Sequence, residues 1–366
     1  MPQNAEFAEK QRRINEFMDL GGYDAVLLSR SDNFAWFTCG GDVHVNTAQE
    51  TGVGSLLIHR TGTTLITNNV ERGRILEEEL GALGFTEDIS LWAEDGLPEA
   101  VDRVAPNQKI AGDVVLPGIS ACPEAIARLR WSLTSAEVDR YRSLGADVGA
   151  AIGEACMDIE PSMTEFEAAA ALASEHYQRG ITPIVVLVAA DERLLKYRHP
   201  LPTMNEITRT VMLVVCGRRN GLIVSATRIV SFGRVSGELR KKHQAVVAVD
   251  AAFNAATRIG ARIGDVFKTG LDAYAAQGYP EEWKLHHQGG PTGYAPRDYR
   301  ATLQTDDLVL RNQAFAWNPS IAGTKSEDTV IATPDGLEIL SASPAFPMLE
   351  ASAEGLTLRR SDILVR

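Results

Sequence analysis

Two histidine-bearing stretches carry the most chemically suggestive side chains of this sequence. His199 lies in Tyr197-Arg198-His199-Pro200-Leu201-Pro202-Thr203, where the prolines exclude regular structure and leave the imidazole facing a loop or a cleft. The second stretch, His286-His287-Gln288-Gly289-Gly290-Pro291-Thr292-Gly293-Tyr294, sets adjacent polar side chains beside glycines that let backbone approach something closely. Imidazoles at these places are suited to move protons near neutral pH. Glu327, in Lys325-Ser326-Glu327-Asp328 ahead of an apolar run, is a carboxylate that could point into the same cleft, or a solvated strand start. Ser225-Ala226-Thr227-Arg228 ends another apolar run, and Arg297-Asp298 follows the glycines. A guanidinium there suits bidentate capture of a carboxylate, or a surface ion pair. Cys216 closes a further apolar run with no histidine beside it, and reads as a buried thiol rather than a nucleophile.

These side chains need a scaffold, and the patterning supplies one. In the first third, Asp24–Ser29, Gly54–His59 and Thr63–Thr67 read as strands and 5–20, 70–83 and 97–104 as helices, an alternation typical of an α/β sheet domain. At Thr134 the pattern changes. Thr134 and Glu137 make a capping box, and Val138, Tyr141, Leu144, Val148, Ile152 and Ala155 follow at helical spacing. A domain boundary is placed before Thr134, giving an accessory domain over 1–133. Beyond it lies a weak internal repeat: a long helix to Asp158, a second from the Thr164…Glu167 capping box to Gly180, then strand-like runs at 183–188, 211–216 and 222–225. The same order returns as helices over about 237–258 and 265–278, then strand-like runs at 314–318 and 328–332. Two helix-helix-strand halves predict one pseudo-twofold α/β (α+β) domain over 134–345, with its ligand cleft between the halves. Residues 346–366 read as a tail or a partner-contacting segment.

Composition narrows the function classes. At 366 residues with 45% hydrophobic and 23% charged content, the chain is an ordinary globular protein with room for two domains. Its net charge of −12 argues against a nucleic-acid footprint or a basic membrane-binding face. No apolar window is long enough to span a bilayer, and the first residues are polar and acidic, so a cytoplasmic location is expected. The 4 cysteines are scattered without C-x-x-C spacing, which signals neither a zinc knuckle nor a redox motif.

Taken in order, the Thr134-Ser135-Ala136-Glu137 helix start, Pro161-Ser162-Met163-Thr164-Glu165, Tyr197-Arg198-His199, Ser225-Ala226-Thr227-Arg228, His287-Gln288-Gly289-Gly290, Trp317-Asn318-Pro319 and Ser326-Glu327-Asp328-Thr329-Val330 resemble the pita-bread superfamily of aminopeptidase P, prolidase and creatinase. The resemblance covers residues 134–340, and more loosely the N-terminal third resembles the accessory domain of those enzymes. It implies a pita-bread fold and an active site between the halves. Peptidases of the superfamily hold two divalent metals with Asp, Asp, His, Glu and Glu. Laid on this sequence, those positions fall at Val214 or Val215, Ser225, His287, Asn318 and Glu327, so only His287 and Glu327 keep a ligating type. One imidazole and one carboxylate neither ligate nor neutralise two dications. The accessory histidine of the superfamily would be His199, and a further catalytic histidine would fall at Tyr294. Creatinase implies that this fold can hydrolyse a C–N bond without metal.

The expectation is therefore a metal-independent, creatinase-like hydrolase acting on a C–N bond of a small amino-acid-like or short peptide-like compound, with no metal and no cofactor. His199 is the expected general acid/base, His287 a hydrogen-bond donor or second base, and Glu327 the carboxylate that orients it or binds a cationic group. Tyr294, Arg297, Asn318, Ser225 and Arg228 are expected to shape the substrate pocket. The alternatives are a metal-dependent Xaa-Pro aminopeptidase or dipeptidase and a catalytically inactive binding protein. The resemblance also implies a homodimer, for which Asn33-Phe34-Ala35-Trp36-Phe37 is the candidate contact.

Overall fold

The alternating first third does build a mixed sheet. A computed structural model describes residues 2–94, 96–344 and 346–366, which divide into two units: the chain through Glu137 with Asn220–Leu222, and Val138–Arg219 with Ile223–Arg366. In the first unit β1 (Ala25–Arg30), β2 (Thr51–His59), β3 (Gly62–Asn68), β4 (Thr86–Ser90), β5 (Ile110–Gly112) and β6 (Ile119–Ala121) form one sheet in the order β4-β3-β2-β1-β5-β6. Ala100, Val101 and Ala105 of and just beyond the helix Leu97–Val104 pack on Leu27, Leu57 and Ile66 of this sheet. The helix expected over 70–83 is interrupted. It runs as Arg72–Arg74, a π-helical turn Ile75–Leu80 and a 3-10 turn Gly81–Leu83, because Gly81 takes a positive φ of 48° that breaks the ladder.

The aromatic segment 33–37 needs correction. It lies in the helix Ser31–Phe37, and Phe34, Trp36 and Phe37 are each fully buried. These rings are core of their own unit, so they offer no surface to a second chain.

Both expected capping boxes form, the first at the end of the first unit and the second within the second unit. The Glu137 carboxylate accepts from the Thr134 N–H at 2.7 Å ahead of the helix Ser135–Asp158. Thr164 and Glu167 make the reciprocal pair ahead of Glu165–Tyr177. There follow β7 (Thr182–Ala190), β8 (Thr210–Arg219) and β9 (Leu222–Ser231), then the helices Gly237–Ala256 and Ile263–Ala276. Next come β10 (Gly289–Thr292), β11 (Gln313–Trp317), the short pair β12 (Ser320–Ile321) and β13 (Thr324–Lys325), β14 (Asp328–Thr333) and β15 (Gly336–Ile339). The outcome is the expected pair of halves, each with two helices and antiparallel strands, in the orders β10-β11-β14-β15 and β9-β8-β7. Every residue of β9 and β11 is buried, as strands covered on both faces must be. Phe253 stacks on Trp317 at 4.7 Å between ring centroids, and Phe267, Phe315 and Val330 complete that core.

The last residues are not a tail. β16 (Met348–Ala353) and β17 (Leu356–Ser361) form a hairpin, and β18 (Leu364–Val365) adds to β9 in parallel. Arg360 is fully buried and Ile363 is 1% exposed, so this segment closes the second unit.

Candidate active site

The strand ends at 225–228 and 325–328 run side by side, with the Thr227 N–H donating to the Glu327 carbonyl at 3.1 Å. Thr329 fixes the register, accepting from the Ser225 N–H at 2.7 Å. Side chains alternate along extended chain, so each segment presents one set of residues to each face. On one face Ser225, Thr227, Lys325 and Glu327 meet. On the other, Arg228, Ser326 and Asp328 meet.

Glu327 is 3% exposed and heavily engaged. It accepts from Thr227 Oγ1 at 2.7 Å and Arg297 Nη2 at 3.0 Å, and pairs with Lys325 Nζ at 2.6 Å. Burial works to raise its pKa, but Lys325 and then Arg297 overcome that and hold the carboxyl at about 2. The network extends through Arg297 Nη1, which donates to Ser225 Oγ at 3.3 Å, to the Cys216 thiol 3.2 Å from the same hydroxyl. Cys216 stays a protonated thiol, because burial pushes its pKa up.

The histidines converge into a second group. His286 Nε2 lies 3.0 Å from His199 Nε2, and the His286 and His287 rings stack at 4.4 Å between centroids. Among the described residues these three imidazoles are the group of ligating side chains close enough to hold a metal ion, each offering a nitrogen within 4.8 Å of the others. The scaffold that joins them is local: Arg198 ion-pairs with Glu282, in the short 3-10 helix Glu282–Leu285 that leads into His286. Glu165 pins the other end of the His199 loop, accepting from the Thr203 N–H at 2.9 Å and the Ala190 N–H at 2.7 Å. Burial, then Lys325 and the neighbouring imidazoles, push His286 down to about 2. Burial, then Arg297 and Arg300, push His287 down to about 4. Both rings are neutral at pH 7.

Asn318 adjoins the imidazole group. Asn318 is 3% exposed, its N–H donates to the Gln288 carbonyl at 3.1 Å, and its Oδ1 has no partner within the protein. Gln288 Nε2 in turn donates to the His286 carbonyl at 2.5 Å, coupling the amide to the imidazole group. Tyr294 is 2% exposed. The glycines approach the protein's own backbone, and no ligand is needed to explain them. Gly289, at φ 96°, has room only for a hydrogen, since a Cβ would stand 2.1 Å from the Ala316 carbonyl oxygen.

Arg228, expected in the pocket, faces the other way. Its Nη2 donates to Asp328 at 2.8 Å and to the Ser341 carbonyl at 2.7 Å, and its Nε donates to Ser343 at 2.9 Å. With its donors committed there, it belongs to the scaffold. The sequence reading passed over Lys325, Thr227 and His286. The Lys-x-Glu spacing ahead of an apolar strand was the available signal for Lys325, since residues two apart on extended chain share a face.

Residues 140–334 match metallopeptidase family M24, and the chain belongs to that family. An uncharacterised peptidase of Staphylococcus haemolyticus is 26% identical over 121 residues, 31% of this chain and 34% of the relative, so the match spans about a third of that relative's length. Among solved structures, the prolidase from Pyrococcus horikoshii OT3 is similar at a TM-score of 0.78 and 18% identity over 95% of this chain and 100% of that one. The Xaa-Pro dipeptidase from Bacillus anthracis is similar at a TM-score of 0.76 and 18% identity over 98% of this chain and 100% of that one. These likenesses are of fold.

The residues present do not fit the paired metal centre that the resemblance implies. β8 has no bulge between Val211 and Cys216, so Val214 shares the face of Cys216 while Val215 turns away. Val214 packs with Leu187, Met212 and Ile229. Ser225 and Asn318 offer neutral oxygens, and the Glu327 carboxylate is already neutralised by Lys325 and Arg297. Side-chain cations stand where dication charge would be needed.

Proposed function

We propose that this M24 member is a metal-independent hydrolase that cleaves a C–N bond of a small amino-acid-like or peptide-like compound. The observation that carries the reading is the Lys325–Glu327–Arg297 group: two side-chain cations hold the carboxylate that a paired metal centre would require. In this reading His199, reachable from solvent, is the general acid/base. His287, neutral at pH 7, serves as a hydrogen-bonding group toward the reacting centre. Glu327 fixes Arg297 and Lys325, whose charge attracts a substrate carboxylate. Asn318 Oδ1 and Ser225 Oγ give hydrogen bonds to the substrate, and the phenol of Tyr294 shapes the pocket. Homodimerisation and a cytoplasmic location belong to the same proposal. Among the described residues no helix is long and apolar enough to cross a membrane.

The test is a mass-spectrometric screen of amino-acid amides, ureido and guanidino acids and Xaa-Pro dipeptides, with protein dialysed against chelator. Turnover that survives dialysis and is not raised by manganese or cobalt is expected. Turnover abolished by chelator and restored by either ion would replace this reading with a metal-dependent Xaa-Pro peptidase.

A further inference from the structure

We infer that His199, His286 and His287 form a site for one divalent transition-metal ion of the zinc class, and that its occupancy switches the enzyme off. The inhibitory half rests on the function proposed above; the binding half stands on geometry alone.

Three imidazoles each place a ring nitrogen within 4.8 Å of the other two. This is a ligand set that suits zinc, copper, nickel or cobalt and does not suit magnesium or calcium, which require oxygen donors. His286 Nε2 and His199 Nε2 face each other at 3.0 Å, a separation that an ion bound to both would widen slightly. The loops that carry them are tied together before any ion arrives, by Arg198 to Glu282 and by Arg198 Nη1 to Ser320 Oγ at 3.2 Å. A second observation points to a ligand. His286 is 8% exposed, and the Nδ1 atoms of both His286 and His287 are buried without a hydrogen-bond partner. A buried ring nitrogen left unpaired is costly; His286, which meets His199 through Nε2, keeps that cost at Nδ1 whether or not an ion binds, whereas His287 loses it where Nδ1 is its ligating atom. His199 is exposed, so an ion has a path from solvent and a fourth position stays open to water.

The site differs from the carboxylate-rich centre implied by the family resemblance in ligand type and in charge. It contributes no negative charge of its own, and Lys325 and Arg297 stand nearby with Glu327 as their counter-ion. That electrostatic setting weakens a dication relative to a carboxylate site, which makes binding reversible. Coordination of His199 removes the lone pair that the proposed acid/base step uses, so a bound ion and turnover exclude each other.

The experiment titrates chelator-treated full-length protein with cobalt(II) chloride while following the visible absorption of four-coordinate cobalt, then displaces the cobalt with zinc chloride. One equivalent per chain is expected, with the band lost in His286→Phe, which keeps a ring in the stack, and in His199→Gln, whose exposed position leaves folding intact. No band in the wild type, or an unchanged band in His199→Gln, overturns the site. Zinc at saturation should lower wild-type turnover by about 10²-fold or more. A band without inhibition overturns the switch while leaving the site. Activation by zinc overturns both the switch and the metal-independent function. Absence of any turnover sinks the proposed function alone, since the cobalt spectrum still decides whether the site exists.

Discussion

The same two strand segments build two charge groups of opposite character. Behind them Arg228 and Arg360 meet Asp328 and Asp250, with Arg360 Nε 2.6 Å from Asp250 and Arg360 Nη2 3.1 Å from Asp328. Two cations balance two carboxylates, and none of the four side chains is more than 3% exposed. In front, Lys325 and Arg297 share the single carboxylate of Glu327 beside three imidazoles. That face keeps a surplus of positive charge, an unpaired Asn318 oxygen and two unpaired imidazole nitrogens. A balanced, closed group is a scaffold. The rear group also leaves Arg360 Nη1 without a hydrogen-bond partner, so what sets the front apart is its surplus of positive charge beside three imidazoles, where an anionic or hydrogen-bonding ligand gains most.

The largest effect should come from breaking the balanced side. Asp328→Asn leaves Arg228 and Arg360 buried with a missing counter-charge, and should cost about 3–5 kcal/mol in urea unfolding. Lys325→Met on the front should cost less than half as much, since Glu327 keeps Arg297 and Thr227. Equal losses would erase the distinction between the two faces. Next comes turnover. His199→Asn and Glu327→Gln should each lower it by about 10²–10⁴-fold with folded protein retained. Full activity in His199→Asn would remove the proposed mechanism, and loss in step with the melting temperature would make Glu327 a second scaffold carboxylate.

Acid should then separate the buried groups by their pKa. His243, on the helix Gly237–Ala256 and 2% exposed, is pushed down to about 4 by burial, against the opposing pull of Asp362. The unfolded chain binds this proton at about 6.5, so between about 6.5 and 4 the unfolded state takes up more protons than the native one. Stability therefore falls as pH drops through that window, by on the order of 3 kcal/mol. Glu327, held at about 2, adds a second loss that begins below its unfolded value of 4.5 and continues as the pH falls toward 2. Urea midpoints measured from pH 7 to 3 should show the first decline already by pH 5. In His243→Gln the decline between about pH 6.5 and 4 should shrink without vanishing, since burial holds His286 and His287 below 6.5 as well.

What the sequence made legible was local. Capping boxes at Thr134 and Thr164, the apolar runs that became β8 and β9, and the repeated helix pair depend on residues a few positions apart. The C-terminal hairpin escaped because its strands read as mixed polar segments, half-exposed along β16. Its anchor is a buried arginine that composition alone assigns to solvent. Of the imidazole group His199 and His287 were expected together, and His286 escaped for a topological reason. His199 and His286 stand 87 positions apart, and what brings them together is the Arg198–Glu282 pair between two irregular segments that no periodicity announces. Arg228 was misassigned by a single residue's alternation, pocket face for scaffold face, once its neighbour Thr227 claimed Glu327.

The smallest effect belongs to Asn318, and it tests whether the unpartnered oxygen on the front face meets a ligand. The side-chain Oδ1 is buried and unpartnered while the backbone N–H holds the Gln288 carbonyl. Asn318→Ala therefore removes an acceptor without touching the backbone bond that positions Gln288 and, through it, His286. If a substrate N–H supplies the missing partner, its loss should raise KM by about tenfold, the worth of one buried hydrogen bond. An amide neither gives nor takes a proton in the reaction, so kcat should stay nearly constant. Deleting an unpaired buried acceptor should also leave stability equal or slightly higher, whereas a structural role would lower it. A fall in kcat with unchanged KM would place Asn318 at the reacting atoms, and a lower melting temperature with unchanged kinetics would move it to the scaffold side of the comparison.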